Sequence, residues 1–326
     1  MKSTLNAFRG NGGLRCIDEK RPDDVFLVCA SYEERTVAVA ESLSDDYRCR
    51  RGLVYLHREL LENRSKDKFQ ANITRLHEVL GRHCDRVDEV RGSWLHPRDH
   101  FLPLRDALAR GAPGLERDAP LITADITTFN RETLLTMMAV IRTQHPDARI
   151  RVTYVSPRDH GEWLSRGFRC VRSVIGFPGI QDPARAALLA VLSGFEPERT
   201  QKIIEQHEPT RVLLGIGDPP TSMRFLERNV AEQRLILARQ EVTEFRFSAD
   251  DIEKCLGSLE RLVGPYVLSH NVTLAPMCTK LSTIAAFLFA ERHPEVQVTY
   301  CVPGEYNVDD YSSGADSIFV ADIPHY

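Results

Sequence analysis

No Cys-x-x-Cys pair occurs anywhere in the 326 residues. The eight cysteines stand singly at 16, 29, 49, 84, 170, 255, 278 and 301. Such spacing excludes the common zinc motifs and gives no sign of a disulfide framework. Cys29 and Cys301 fall inside apolar runs, where a thiol serves as a small hydrophobe. The expectation is free thiols, a reducing cytoplasmic location and no metal. No stretch of about 18 apolar residues is present, so no membrane-spanning helix is expected. The polar start of the chain does not read as a secretory signal. Phosphate-binding fingerprints are missing too. There is no Gly-x-x-x-x-Gly-Lys-Ser/Thr loop, and Gly215-Ile-Gly217 lacks the third glycine of a dinucleotide site. Neither NTP hydrolysis nor NAD binding by those routes is expected, and no cofactor is assigned. His-Glu-x-x-His and Gly-x-Ser-x-Gly are also absent, and His96-Pro-Arg-Asp-His100 reads as a polar loop. A net charge of -4 and a pI near 6.3 argue against a general duplex-DNA binder.

What the chain does have is a repeat. From Pro120 it reads Leu121-Ile-Thr-Ala-Asp-Ile-Thr-Thr-Phe-Asn130, a helix, His145-Pro146-Asp147, then Ile150-Arg-Val-Thr-Tyr-Val-Ser-Pro157. The second copy runs from Tyr266 through Asn271-Val-Thr-Leu-Ala-Pro-Met-Cys-Thr-Lys280 and an apolar helix to His293-Pro294-Glu295, then Val-Gln-Val-Thr-Tyr-Cys-Val-Pro303. The shared frame is strand, polar tip, helix, His-Pro-acid turn, and a strand containing Val-Thr-Tyr. Hydrophobic residues make up 42% of the chain and charged residues 27%, enough apolar material for two cores.

Continuous apolar runs such as Val25-Phe-Leu-Val-Cys-Ala30 and Arg211-Val-Leu-Leu-Gly-Ile-Gly217 are the pattern of strands covered on both faces. They alternate with helical segments of a dozen or more residues. One spans 63–82, with Phe69, Ile73, Leu76 and Leu80 at helical spacing. The fold class expected is α/β, with two Rossmann-like parallel-sheet lobes arranged as an internal pseudo-dimer. Its divisions are a polar lead-in at 1–22, a first lobe at 23–180, a helical linker at 181–209 and a second lobe at 210–326. Within them, 158–164 reads as a short helix, 169–175 as an edge strand of the first lobe, and 183–192 and 197–207 as helices. The last strand, Ser317-Ile-Phe-Val-Ala321, is assigned to the second lobe.

In open parallel sheets ligands bind beyond the carboxyl ends of the strands. Four polar tips lie there: Ser31-Tyr-Glu-Glu-Arg35, Asp125 to Asn130, Asp218-Pro-Pro-Thr-Ser222 and Asn271 to Lys280. Each opens a helix, whose free N–H groups favour an anion. The ligand-binding candidates are Ser31, Arg35, Asp125, Thr127, Asn130, Asp218, Thr221, Asn271, Thr273, Thr279 and Lys280. These residue types are also ordinary helix caps. Ser31 with Glu34, and Ser248 with Asp251, have capping-box spacing. Lys280 is the sharpest candidate, because a cation at a helix start is unfavourable without an anion. Glu33 and Glu34 are the candidate catalytic acids, set against the reading of a solvated first turn. The segment Pro303-Gly-Glu-Tyr-Asn-Val-Asp-Asp-Tyr311 is either a flap that stacks on a base or a surface loop.

The stretch Asn271-Val-Thr-Leu-Ala-Pro-Met-Cys-Thr-Lys280 ahead of an apolar helix resembles the Asn-x-Thr-Gly-Gly-Thr-Lys-type motif of the CARF (CRISPR-associated Rossmann fold) superfamily, with Ala-Pro-Met-Cys where glycines stand in that motif. Two such halves in one chain resemble the SAVED sensor domains of antiphage systems. The resemblance implies a sensor that binds a nucleotide-type second messenger, such as a cyclic oligonucleotide, between the lobes and acts through a partner effector protein. It reaches Asn271, Thr273, Thr279 and Lys280 directly, and Asp125, Thr127 and Asn130 through the repeat. The alternatives are a nucleotide-cleaving enzyme, either a ring-nuclease-like phosphodiesterase or a nucleoside or NAD glycohydrolase, and a ligand-free subunit of a defence complex.

Overall fold

The computed structural model describes residues 6–8, 13–218 and 223–325. In chain order the elements are β1 (Asn6–Phe8), β2 (Asp23–Cys29), α1 (Ala38–Glu41), β3 (Cys49–His57), α2 (Lys66–Leu80), β4 (Cys84–Gly92), α3 (Pro97–Ala107), β5 (Leu121–Asp125), α4 (Arg131–Gln144) and β6 (Arg149–His160). Then come β7 (Ser165–Ser173), β8 (Ala187–Ser193), α5 (Pro197–His207), β9 (Arg211–Gly217), α6 (Met223–Leu237), β10 (Val242–Phe247), α7 (Ile252–Leu262), β11 (Asn271–Pro276), α8 (Lys280–Arg292), β12 (Gln297–Tyr306) and β13 (Ser312–Ile323).

The chain divides into two compact units. The first holds Met1–Glu162 and Val308–His325, the second Trp163–Asn307. In the first, the sheet order is β1-β13-β6-β5-β2-β3-β4. Strands β2 to β6 are parallel, β13 pairs antiparallel with β6, and β1 pairs antiparallel with β13 at the edge. In the second, the order is β10-β9-β8-β11-β12-β7, with only β7 antiparallel. Each unit is therefore a Rossmann-like α/β sheet, and the five parallel strands follow the same order in both. In the first unit Phe26, Val28, Val54 and Leu56 pack against Val39 and Ala40 of α1 and Phe69, Ile73 and Leu76 of α2. The alternate residues Val25, Leu27, Leu53 and Tyr55 are equally buried. Covering both faces in this way explains why these strands read as unbroken apolar runs.

Several expectations give way. Residues 183–192 are not a helix: Ala187–Ser193 is β8, the central strand of the second sheet, paired with β9 and β11. Its alanines and leucines suit a helix locally, but a position with strands on both sides selects for apolar residues of either propensity. No helical linker separates the units. Residues 158–160 continue β6 instead of starting a helix. The last strand belongs to the first sheet, and β7 belongs to the second. The antiparallel edge strands are thus exchanged: the strand after β6 closes the second sheet, and the strand after β12 closes the first. Alternation along a strand specifies its buried face but not which edge it joins, so no local pattern announces the exchange. Part of the lead-in, β1, pairs with β13.

Capping also differs in detail. Glu33, not Ser31, precedes the helical turn Glu34–Val37, and Asp251, not Ser248, caps α7 by accepting from the Lys254 N–H at 3.0 Å. Asn130 and Thr279 cap α4 and α8, accepting from Thr133 N–H at 2.8 Å and Ser282 N–H at 3.1 Å.

A chain ending at Asn307 would lack β13 and leave the β6 edge bare. It is expected to lose the cooperative unfolding of the first unit, measured by calorimetry, and to partition into the insoluble fraction. Unchanged melting of the truncated chain would count against the exchanged strand as a structural requirement.

Candidate functional site

The topological switch of the first sheet lies between β2 and β5, where the strand order reverses. Local chemistry fills it. The Thr128 hydroxyl donates to the Cys29 carbonyl at 2.5 Å, joining the β5 tip to the end of β2. The Asn130 side-chain amide meets His57 Nε2 at 3.2 Å, joining it to the end of β3. Asp125 ends β5 and is 1% exposed. Its Oδ1 accepts from the Thr127 N–H at 3.0 Å and from the Thr127 hydroxyl, whose oxygen in turn accepts from the Val155 N–H at 3.0 Å. Asp125 Oδ2 has no hydrogen-bond partner among the described residues. Burial pushes its pKa up to about 7, against the two Thr127 hydrogen bonds and the charge of Arg35. Burial also drives the His57 pKa down to about 3, aided by His100, which favours a neutral imidazole between Tyr55 and Trp94. Asp125 and Thr127 are therefore bonded to each other, while Asn130 caps α4 and reaches His57. His57 belongs with them. The spacing of motifs gave no sign of it, because its place depends on the β3 register.

Glu33 and Arg35 are also drawn inward. Arg35 donates to Glu33 Oε2 at 2.5 Å and to the Val155 carbonyl at 2.6 Å. Ser312, the first residue of β13, donates to Glu33 Oε2 at 2.6 Å. The pair is 8% and 4% exposed at the side chains. Burial opposes the charge on Arg35, but the adjacent Glu33 carboxylate outweighs it and raises the guanidinium pKa. The second unit repeats this cluster at matching positions. Arg199 donates to Glu196 at 2.8 Å and to the Cys301 carbonyl at 2.9 Å, and Ser165, the first residue of β7, donates to Glu196. Val155 and Cys301 each follow Val-Thr-Tyr. Ser312 stands opposite His160 in its ladder, and Ser165 opposite Tyr306, the same relative register. The sequence carries a signal for this twin: Tyr32-Glu33-Glu34-Arg35-Thr36 against Phe195-Glu196-Pro-Glu198-Arg199-Thr200. Reading β8 as a helix hides it.

The remaining candidates separate. Asn271 opens β11 at its amino end, exchanging hydrogen bonds with the Asp182 backbone. Thr273 lies within the strand and donates to Gln297 at 3.3 Å. Thr279 and Lys280 follow the carboxyl end, so at about 3.3 Å per residue the strand sets Asn271 roughly 16 Å and Thr273 roughly 10 Å back from its end at Pro276. The four do not form one cluster. Thr279 also donates to the Ala249 carbonyl, and Lys280 begins α8. Asp218 is exposed just beyond β9. Thr221 lies outside the described residues. Ser31 is buried, and its carbonyl accepts from the Asn72 side chain at 2.8 Å.

A cavity of about 380 Å³ opens at the carboxyl end of β2. Tyr32, Glu33 and Glu34 form one wall, Lys68, Ala71 and Asn72 of α2 another, and residues 308–313 the third. Tyr32 and Tyr311 meet edge to face with centroids 6.5 Å apart. Glu34 accepts from the Gly314 N–H at 3.3 Å. The segment 303–311, read as a flap or a surface loop, divides: Pro303 to Tyr306 continue β12, and 308–311 line this pocket. Among the described residues no cluster of His, Cys, Asp or Glu suits a metal ion, and no helix is long and apolar enough to cross a membrane.

No protein-family model matches this chain, and no curated protein matches it.

Two outcomes follow from the buried charges. Arg35→Ala or Arg199→Ala should cost about 3–5 kcal/mol in denaturant unfolding, because each strands a buried carboxylate, and Glu33→Gln with Arg35→Met should recover much of that loss. A raised carboxylate pKa means that the folded state holds the Asp125 proton between the unfolded value of 3.8 and about 7. Its contribution to stability therefore falls as pH rises through that window, at up to about 1.4 kcal/mol per pH unit. The melting temperature of Asp125→Asn relative to the parent should climb between pH 5 and 8, and a constant difference would contradict it.

Proposed function

We propose that this protein is a sensor that binds a nucleotide-type second messenger in the first unit and acts through a partner effector protein. The observation that carries this reading is the pocket at the carboxyl end of β2. Its volume of about 380 Å³ falls in the range of small-molecule sites. Tyr32 and Tyr311 offer aromatic surface on which a base can stack. Glu34, Asp309 and Asp310 offer acceptors for ribose hydroxyls and exocyclic amines, and Lys68 supplies a cation. The pocket also stands where Rossmann-like sheets place their ligands.

Binding is favoured over cleavage because Glu33, one of the two candidate acids, is committed to Arg35 and Ser312. Cleavage of a glycosidic bond would fall to Glu34, which lines the same pocket.

The direct test is mass spectrometry of small molecules released from the purified, heat-denatured protein, joined to calorimetric titration with ribonucleotides and cyclic oligonucleotides. A nucleotide-type compound should be found or bound intact, and Tyr311→Ala should weaken its binding about tenfold or more, the worth of a stacked base. Recovery of cleaved product would favour the enzyme. No nucleotide released and none bound would end the sensor reading.

A further inference from the structure

The two units repeat one another around the first crossover, so the place where they differ is informative. Asn72 of α2 donates to the Ser31 carbonyl at 2.8 Å, and Asn229 of α6 donates to the Ser193 carbonyl at 3.0 Å. Helices α2 and α6 are each 15 residues long. Aligned end on end, they pair Asn72 with Asn229, Ala71 with Arg228 and Lys68 with Phe225, and each asparagine reaches the chain where it leaves the first strand, at Ser31 two residues past β2 and at Ser193, the last residue of β8. In the second unit the Arg228 guanidinium lies 4.5 Å from the centre of the Phe195 ring, and Phe225 packs against the same ring at 6.0 Å. Phe195 is the counterpart of Tyr32. In the first unit the side chain at this position stops at Cβ, and the space beside Tyr32 is the 380 Å³ pocket.

The lining carries a second message. Among the described residues of the lining, Lys68 is the one cation facing Glu34, Asp309 and Asp310, while Glu33 is neutralised by Arg35 and Asp309 meets Arg64 at 3.1 Å. A phosphate drawn inside would meet like charges with water excluded, where their repulsion is strongest. A base and a sugar carry no charge and present the donors that carboxylates accept.

Building on the nucleotide reading above, we propose that each chain takes one ligand, in the first unit. Ala71 keeps that site open, and the pocket holds the nucleoside end with the phosphate outside. Duplication supplied the same scaffold twice, and the helix residue facing the aromatic decided which copy stayed hollow.

Calorimetric titration with the four ribonucleosides and their 5′-monophosphates tests this on the full chain and on Ala71→Arg and Arg228→Ala. Ala71 is exposed and arginine is a good helix former, so Ala71→Arg should melt like the parent. The expected result is one site per chain, a nucleoside and its monophosphate binding within about threefold of each other, an about tenfold or greater loss in Ala71→Arg, and no change in Arg228→Ala. Two sites per chain, undiminished binding by a folded Ala71→Arg, or a monophosphate preferred about tenfold over its nucleoside would overturn the inference and leave the nucleotide reading standing. No binding of any of these compounds by the parent chain would instead overturn the nucleotide reading, and this inference with it.

Discussion

A buried guanidinium brings five N–H donors into a place where unmet donors are costly. Arg35 and Arg199 meet most of that demand with the same partners: a carboxylate on one side and, on the other, the carbonyl that follows Val-Thr-Tyr in the fifth parallel strand. The carboxylate in turn accepts from the first serine of the antiparallel edge strand. One ion pair therefore ties the first crossover, the far side of the parallel sheet and the edge strand together. Burying it gains little by itself, since desolvation offsets most of the attraction. What it contributes is specificity, because only the native register of β13 or β7 brings its serine to the carboxylate.

The exchanged edge strands follow from the same geometry. Each clasp needs a serine at the start of an antiparallel strand, and the chain supplies it from the segment that has just left the other unit. The pocket beside Tyr32 sits on the first clasp, with Glu33 in its wall and Ser312 at its edge. The pocket lining and the strand placement thus share residues in the first unit.

Much of the α/β class was legible because a strand covered on both faces must be apolar throughout, as 25–30 and 211–217 are. The caps Asn130 and Thr279 were equally plain, since a helix start has few ways to satisfy its N–H groups. The candidate site was legible only in part. Asp125 and Thr127 bond to each other and Asn130 turns to His57, while Glu33 and Glu34 line the pocket. Asn271 and Thr273 were set at a tip because the repeat was aligned by residue type. The strand actually begins at Asn271, which moves both away from Thr279. The twin of Tyr32-Glu33 at Phe195-Glu196 went unseen while 183–192 passed for a helix.

The sequence by itself determined the alternation of strands and helices, the duplication and the absence of metal and phosphate-loop motifs, because these depend on neighbours along the chain. Only the tertiary structure decided which sheet each edge strand joins, that Glu33 and Arg35 face each other, and that Ala71 borders a pocket while Arg228 lies against Phe195. Those outcomes depend on contacts between residues such as Glu33 and Ser312, far apart in sequence. A pattern read along the chain records burial and periodicity, but not the partner that burial selects.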